Sequence, residues 1–198
     1  MPWLSQETLK SLGFRHLGRN VKISDKAAIY DPNMIEIGDN SRIDDFCVIS
    51  GKVNIGRNVH IAVFCNVAGG ELGVELCDFS GLAYYCNVFS QSDDYSGISL
   101  TNPTVPDEFK SEKKAPVRIG YHCIVGAGSM VFPGVSMADG CSLGAMSMLN
   151  KSTEEWGVYF GIPAKRLKSR SRDLLLKEEV YRNLSENDLG DHTPLVRN

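Results

Sequence analysis

Residues 118–150 read RIGYHCIVGAGSMVFPGVSMADGCSLGAMSMLN, and every sixth position is apolar: Ile119, Val125, Val131, Met137, Leu143 and Leu149. Two places before each stands a small or short side chain: Val117, Cys123, Ser129, Val135, Cys141 and Ser147. A period of six is neither the 3.6 of an α-helix nor the two of a simple strand. It fits a parallel β-helix of hexapeptides, in which three hexads close one triangular coil of about 18 residues. The large aliphatic fills the interior and the small residue sits near the corner. A single coil cannot bury its own inner face, so stacked neighbours must supply both the backbone ladder and the core.

The same register persists upstream. Ile37, Ile43, Ile49, Ile55, Ile61 and Val67 follow one another without a break, with Ile35, Ser41, Cys47, Val53, Val59 and Cys65 two places behind. After a slip at 68–73 the pattern resumes at Leu76, Leu82 and Val88, and Ile23 and Ile29 extend it backwards, for 17 hexads in all. Glycine follows the large aliphatic at Gly38, Gly56, Gly120, Gly126 and Gly144. These five are expected at corners with positive φ. Arg42, Asp44, Asp45, Arg57 and Asn58, at the remaining hexad positions, are expected to face solvent or a neighbouring subunit.

The fold class is therefore an all-β solenoid, flanked by short pieces of helix. Residues 1–20 read as an N-terminal helical cap, with Ser5 as N-cap and Gly13 as stop. The β-helix occupies 21–150, interrupted over 91–116 by QSDDYSGISLTNPTVPDEFKSEKKAP, which is polar and aperiodic. A stretch of that length inside a compact domain points to a functional loop, and the coil resumes in register at Val117. Residues 151–198 form a C-terminal segment in which 173–184 has the spacing of an amphipathic helix, expected as a second cap. The polar stretch 185–198 is expected to be mobile.

Composition narrows the function classes. A charge of −3 over 198 residues gives no general attraction to nucleic acid or to acidic membranes. No apolar run is long enough to span a bilayer and no signal-peptide pattern opens the chain, so the cytoplasm is expected. Five of the six cysteines (Cys47, Cys65, Cys86, Cys123 and Cys141) share the small inward register, and Cys77 replaces a corner glycine. They read as packing groups, neither disulfides nor nucleophiles.

Two motifs carry a resemblance beyond the coil: IGYHCIVGAGSMVFPGV with LGAMSMLNKS, and the run Gly161-Ile162-Pro163-Ala164-Lys165 after the last coil. Both are similar to the hexapeptide-repeat acyltransferases, whose GxPAK signature follows the final turn. The resemblance covers most of the chain and implies left-handed winding, a homotrimer with active sites between subunits, and a coenzyme A thioester (acetyl or a longer acyl group) as co-substrate. Gly126, Ala127, Gly128, Gly144 and Ala145 make a smooth face against which a pantetheine arm can lie. A backbone N–H from 126–128 or 142–145 would steady the oxyanion. Lys151, Pro163, Ala164, Lys165, Arg166 and the nearby Lys168 complete the implied coenzyme site, the cations facing its phosphates.

The segment 88–97, VFSQSDDYSG, with Leu100-Thr101-Asn102-Pro103, resembles acyltransferases of nucleotide-linked amino-deoxy sugars, which implies a place in lipopolysaccharide or O-antigen biosynthesis. In the maltose and galactoside O-acetyltransferases the corresponding opening of the loop carries a catalytic His, and here Asp93 stands in its place. A hydroxyl acceptor needs a base matched to neutrality. A sugar amine with a pKa of ~8 is already roughly a tenth neutral at pH 7 and needs mainly to be positioned. Asp93 and Asp94 thus favour N-acylation over O-acylation, although such a pair also suits a simple Asx turn. His60 precedes Ile61 at an outward position and is a candidate base or sugar ligand, and His122 is a binding candidate near the coenzyme face. Tyr95, Asn102 and Lys110 are candidate holders of the sugar nucleotide.

A zinc enzyme on this coil would need three convergent His ligands. Only His60 and His122 lie on coils, so no metal is expected. The sequence thus reads as an acyl-CoA-dependent N-acyltransferase. An O-acetyltransferase of a glycan or polysaccharide precursor, with His60 as base, and a non-catalytic β-helix assembly subunit are the alternatives.

Overall fold

A computed structural model describes residues 2–187. The strands are two to six residues long, and each pairs with the strand one coil away to build the three sides of a prism. The first sheet has six strands, from His16–Leu17 to Ser136–Met137. The second has eight, from Lys22–Ile23 through Ser142–Leu143 to the hairpin Gly157–Gly161 and Ala164–Ser169. The third has six, from Ala28–Ile29 to Met148–Leu149. Pairing between the strands of successive coils is parallel, while the terminal hairpin, the loop stem and a single bridge between Trp3 and Ser24 run antiparallel.

Register follows the hexads. On the first sheet Ile37 pairs with Ile55, Ile55 with Leu76, Leu76 with Ile119 and Ile119 with Met137. These columns, with the inward Cys and Ser positions, form one continuous core that runs the length of the solenoid. All six cysteines are buried and free. Burial pushes the Cys123 thiol up to about 12, which suits packing and not nucleophilic attack. Truncating a central rung such as Ile43 to Ala would open a cavity at a cost of about 2–5 kcal/mol.

The corner glycines behave differently from expectation. Gly38, Gly56, Gly120, Gly126 and Gly144 do not take positive φ. The left-handed residue comes two places later, at Asn40, Asn58, His122, Gly128 and Met146. What the five glycines supply is room. A Cβ on Gly38 would lie 2.7 Å from the Gly56 carbonyl carbon, and one on Gly126 would lie 2.4 Å from the Ala145 nitrogen. The slot after each large aliphatic is thus pressed under the next coil. Asp44 occupies that slot and is buried, so it does not face solvent as its polarity suggested.

The first helix, α1 (Gln6–Ser11), starts where Ser5 Oγ accepts the Thr8 N–H at 3.1 Å and buries Leu9 in the core. The second, α2 (Leu174–Asn187), does not cross the end of the last coil. It runs back along the side, where Glu178 meets His122 at 2.7 Å and Tyr181 donates to Asn58 at 3.1 Å. Phe79 and His122, stacked with centroids 5.3 Å apart, give α2 an aromatic shelf that the bare end of the prism lacks. The rest of the polar stretch expected to be mobile, with His192, lies outside the described residues.

The loop has structure of its own. Gln91–Ser92 pairs with Lys113–Lys114 as a stem, Leu100 bridges Lys110, and Asp107–Phe109 makes one 3₁₀ turn. It leaves the edge between the third and first sheets. Among the described residues no helix is long and apolar enough to cross a membrane, and no cluster of His, Cys, Asp or Glu side chains could hold a metal ion.

Candidate functional site

Two of the corners differ in what happens to one backbone N–H. Between the first and second sheets an aspartate of the next coil takes it up at three places. Arg19 N donates to Asp39 at 2.7 Å, Arg57 N to Asp78 at 2.8 Å and Tyr121 N to Asp139 at 3.1 Å. Between the second and third sheets the equivalent positions include Ala127 and Ala145. Among the described residues their N–H groups have no protein acceptor. The flanking amides are spent, since Gly126 donates to Leu143, Gly128 to Tyr84, Gly144 to Tyr159 and Met146 to Ala127, each at 2.8 Å. Of the amides expected to bind a ligand, those of Gly126, Gly128 and Gly144 are therefore committed to the ladder, and Ala127 and Ala145 offer the donors.

The terminal hairpin turns at this same corner. Gly161 N donates to Ser147 Oγ at 2.9 Å, and the Phe160 ring lies where a Gly144 side chain would be, 2.4 Å from its ideal Cβ. Ile162 and Pro163, joined by a cis bond, make the turn, and Ala164, Lys165 and Arg166 return along the sheet. Lys165 and Lys168 are exposed with no carboxylate partner among the described residues, while Arg166 is 3.8 Å from Glu154. The structure thus gathers Gly126, Ala127, Gly128, Gly144, Ala145, Pro163, Ala164, Lys165 and Arg166 along one corner. Lys151 follows the last strand of the third sheet and sits at that sheet's opposite edge.

The loop's two aspartates are held very differently. Asp94 accepts from Ser96 N at 2.9 Å, Ser96 Oγ at 2.8 Å, Ser99 Oγ at 3.1 Å and Ser99 N at 3.2 Å. These donors, the Ser96 N–H foremost, hold its carboxyl at about 2. Asp93 accepts one bond, from Asn102 N at 3.2 Å. The Asx-turn role thus falls to Asp94, and Asp93 keeps an oxygen available. Tyr95 is 87% exposed at the loop's rim. Asn102 caps its own turn through Thr104. Lys110 is a strut, its ammonium between Asp107 at 2.9 Å and Glu112 at 3.5 Å with the side chain nearly buried, so it has little face left for a phosphate.

His60 stands on the second sheet with Nε2 2.9 Å from Asp44 Oδ2, and Arg42 holds the other oxygen. Burial works to raise the Asp44 carboxyl, but the hydrogen bonds from Arg42 and His60 outweigh it and hold the group below the usual carboxylate range. Within one chain nothing brings His60 to Asp93, which lies at the far edge of the third sheet. His122 is likewise away from the glycine corner, across the second sheet and beneath α2.

No protein-family model matches the chain. It is 40% identical over 185 residues, 92% of its length and 96% of the relative's, to the dTDP-4-amino-4,6-dideoxy-D-glucose acyltransferase of Escherichia coli. It superposes with a TM-score of 0.91 and 43% identity on a Ser-to-Ala mutant of AntD, an N-acyltransferase from Bacillus cereus, in complex with dTDP-4-amino-4,6-dideoxyglucose and coenzyme A; 92% of this chain and 98% of AntD are covered. A complex of AntD with dTDP and 3-hydroxybutyryl-CoA matches at a TM-score of 0.90 and 43% identity over the same shares. The chain is a hexapeptide-repeat acyltransferase. Its prism is the left-handed parallel β-helix of that family, in about seven turns.

Sequence reading missed two features of the acyltransferase. One is the His60–Asp44–Arg42 network, which could have been found because Asp44 occupies the slot that glycine fills elsewhere. The other is a cleft of about 440 Å³ on the first sheet, beside the loop's return at Pro116. Lys52, Asn54, Glu75, Arg118 and Ser136 line it, and the last four come from successive strands that meet only after the coil has closed.

Proposed function

We propose that the chain transfers an acyl group from a coenzyme A thioester to the amino group of dTDP-4-amino-4,6-dideoxyglucose or a close relative of that sugar. The observation that carries this reading is the 40% identity, over nearly the whole of both chains, to an enzyme of that name. The thioester supplies the acyl group: as the amine nitrogen bonds to its carbonyl carbon the C–S bond breaks, and coenzyme A leaves as the thiolate that takes up the proton the amine gives up. The chain's part is to hold the two substrates in line and to favour the charge that develops between them. The N–H groups of Ala127 and Ala145 are the donors for the oxyanion or for the pantetheine amides. Glycine at 126, 128 and 144 leaves the backbone bare for close approach. Pro163 and Ala164 shape the turn below, and Lys165, Arg166 and, across the third sheet, Lys151 face the phosphates.

Asp93 takes the positioning role. Its available oxygen accepts a hydrogen bond from the amine, aims the nitrogen lone pair, and balances the ammonium that forms as nitrogen attacks. Asp94 supports Asp93 by fixing the loop, and Tyr95 and Asn102 stand where the sugar would approach. No covalent acyl-enzyme is part of this scheme, because the six thiols are buried. We read the enzyme as a homotrimer with sites between subunits, working in the cytoplasm in lipopolysaccharide or O-antigen biosynthesis, without nucleic acid, membrane or metal. A second reading, O-acetylation of a glycan precursor, draws on the His60–Asp44 pair, which has the geometry of an oriented base at 2.9 Å. Incubating the protein with acetyl-CoA or 3-hydroxybutyryl-CoA and either the dTDP-amino sugar or free glycans, with products weighed by mass spectrometry, separates the two. Amide formation is expected, and ester formation on glycans alone would overturn the proposal.

A further inference from the structure

Among the described residues every glycine but one has a structural reason to be glycine. It either takes a positive φ, or a Cβ built on it would come within 3.0 Å of another atom. Gly81 does neither, since its Cβ would meet only the His60 carbonyl oxygen, at an ordinary 3.6 Å. It stands on the second sheet between His60 on one neighbouring strand and Ile124 on the other. The fold would accept a side chain there, and the position is left hollow. Above it runs α2, and between helix and sheet lies a cleft of about 510 Å³. Gly81, His60, Ile124 and Arg170 line one wall, and Lys177 and Glu178 of α2 the other. The charges along this cleft do not balance. Glu178 is the one carboxylate among the lining residues, and its oxygens are spent on His122 at 2.7 Å and Arg182 at 2.5 Å. Arg170 is pinned through Nη1 to the carbonyls of His122 at 2.6 Å and Gly140 at 2.9 Å. Among the described residues neither Arg170 nor Lys177 has a carboxylate partner. His60 gives one ring nitrogen to Asp44 at 2.9 Å and has the other to spare.

We infer that the cleft beneath α2 is a second binding site, for a phosphate monoester carried on a small apolar body. It shares no residue with the corner of Ala127 and Ala145, so it is separate from the acyl-transfer site. Lys177 and Arg170 supply the charge that a buried anion needs. A phosphate presents three acceptor oxygens, enough to reach Lys177 on the helix and Arg170 and His60 on the opposite wall. A carboxylate presents two and leaves one of these groups unmet. The hollow at Gly81, beside the half-exposed Ile124, takes the apolar body. Because α2 is one wall of the cleft, a bound ligand also holds the helix against the sheet.

Isothermal titration calorimetry of the full chain with phenyl phosphate, inorganic phosphate and benzoate tests this. Phenyl phosphate should bind, and more tightly than either of the other two. Gly81→Val, which fills the hollow, should abolish that binding and leave acyl transfer to the dTDP-amino sugar as in wild type. Lys177→Ala should weaken it on the order of tenfold, the loss of one charged hydrogen bond. Lys165→Ala, in the terminal hairpin, should leave it unchanged. At ten times the dissociation constant, amides of α2 should exchange about tenfold more slowly than without phenyl phosphate. Should Gly81→Val lose its circular dichroism, Lys177→Ala, on the helix surface, carries the test with the exchange measurement. Absence of phenyl phosphate binding, binding unchanged in either variant, loss of binding in Lys165→Ala, or benzoate binding in its place would each overturn the inference. A protein that binds phenyl phosphate beneath α2 and acylates no amino sugar keeps this site and defeats the acyltransferase reading. One that acylates the sugar and leaves phenyl phosphate unbound does the reverse.

Discussion

Two corners of the same prism are built from the same hexad and end in opposite states. Where the first sheet meets the second, Asp39, Asp78 and Asp139 accept the N–H groups that the turn leaves over, and arginines pair with the same carboxylates. Where the second meets the third, no side chain among the described residues takes up the N–H groups of Ala127 and Ala145, and these are left as donors. Because an unpaired amide is costly when water is excluded, the second corner is stable only while solvent or a ligand reaches it. One corner has been closed by its own side chains and the other held open. The loop repeats the contrast within two residues, since Asp94 has four donors and Asp93 has one.

The largest effect should come from the less satisfied aspartate. Asp93→Asn is expected to cut turnover by ~10²–10⁴-fold, the range for a positioned proton-handling group, while coenzyme A affinity barely moves. Asp94→Asn should do far less to turnover at saturating substrate, because its carboxylate serves the loop. Steady-state kinetics paired with coenzyme A titration reads both. Equal losses in the two variants would erase the distinction between them.

The open corner is next. Ala127 precedes Gly128, whose φ is +71°, and Ser129 N closes the turn onto the Gly126 carbonyl. This is the type II arrangement, which accepts proline at the second position. The chain already uses it one hexad later, where Pro133 precedes Gly134 at φ +85°. Ala127→Pro therefore removes the N–H with little else. Turnover should fall on the order of 10²-fold, as for loss of an oxyanion donor, with the melting temperature unchanged or slightly raised. Unchanged kinetics would mean that the N–H meets only water.

The closed corner should give the opposite result. Asp139→Ala orphans Tyr121 N and loosens Arg118, which also pairs with Glu75. The carboxylate is over a third exposed, so the cost is about 1 kcal/mol of stability, with turnover intact. Denaturant melts and kinetics on one preparation decide it.

The solenoid was legible because its core repeats: Ile37, Ile43 and Ile49 differ only in which sheet they join, and a period of six needs no knowledge of partners. The glycine corner and the Lys165 hairpin were legible through motif. What the period could not show was the use of each hydrogen-bonding group. Whether the Gly126 or the Ala127 amide is available depends on Leu143, one coil away. The burial of Asp44 and the pairing of Lys110 likewise depend on neighbours across coils or within an aperiodic loop. Position after Ile43 would have placed Asp44 in the buried slot, had the five glycines been read as space instead of as turns. The path of α2 had no signal in its own sequence, because its shelf is Phe79 and His122.

The smallest predicted effect is a pH dependence confined to the loop. The Asp94 carboxyl sits at about 2 when folded, below the ordinary ~3.9 of an unrestrained aspartate. A depressed pKa means that the charged form is the one the folded loop favours. Its contribution is therefore complete above about pH 4 and drains away as pH falls through the folded value near 2. The coil has no share in this, since Ser96 and Ser99 are loop residues. Amide exchange read at Ser96 and Ser99 should thus quicken between pH 4 and 2, beyond the intrinsic change, while amides of the third sheet stay protected. Asp94→Asn, which keeps the shape and loses the charge, should show the faster exchange already at pH 6 and no further acid step. If wild type and Asp94→Asn exchange alike at pH 6, the four bonds do not order the loop. The contrast between Asp93 and Asp94 would then have to rest on turnover alone.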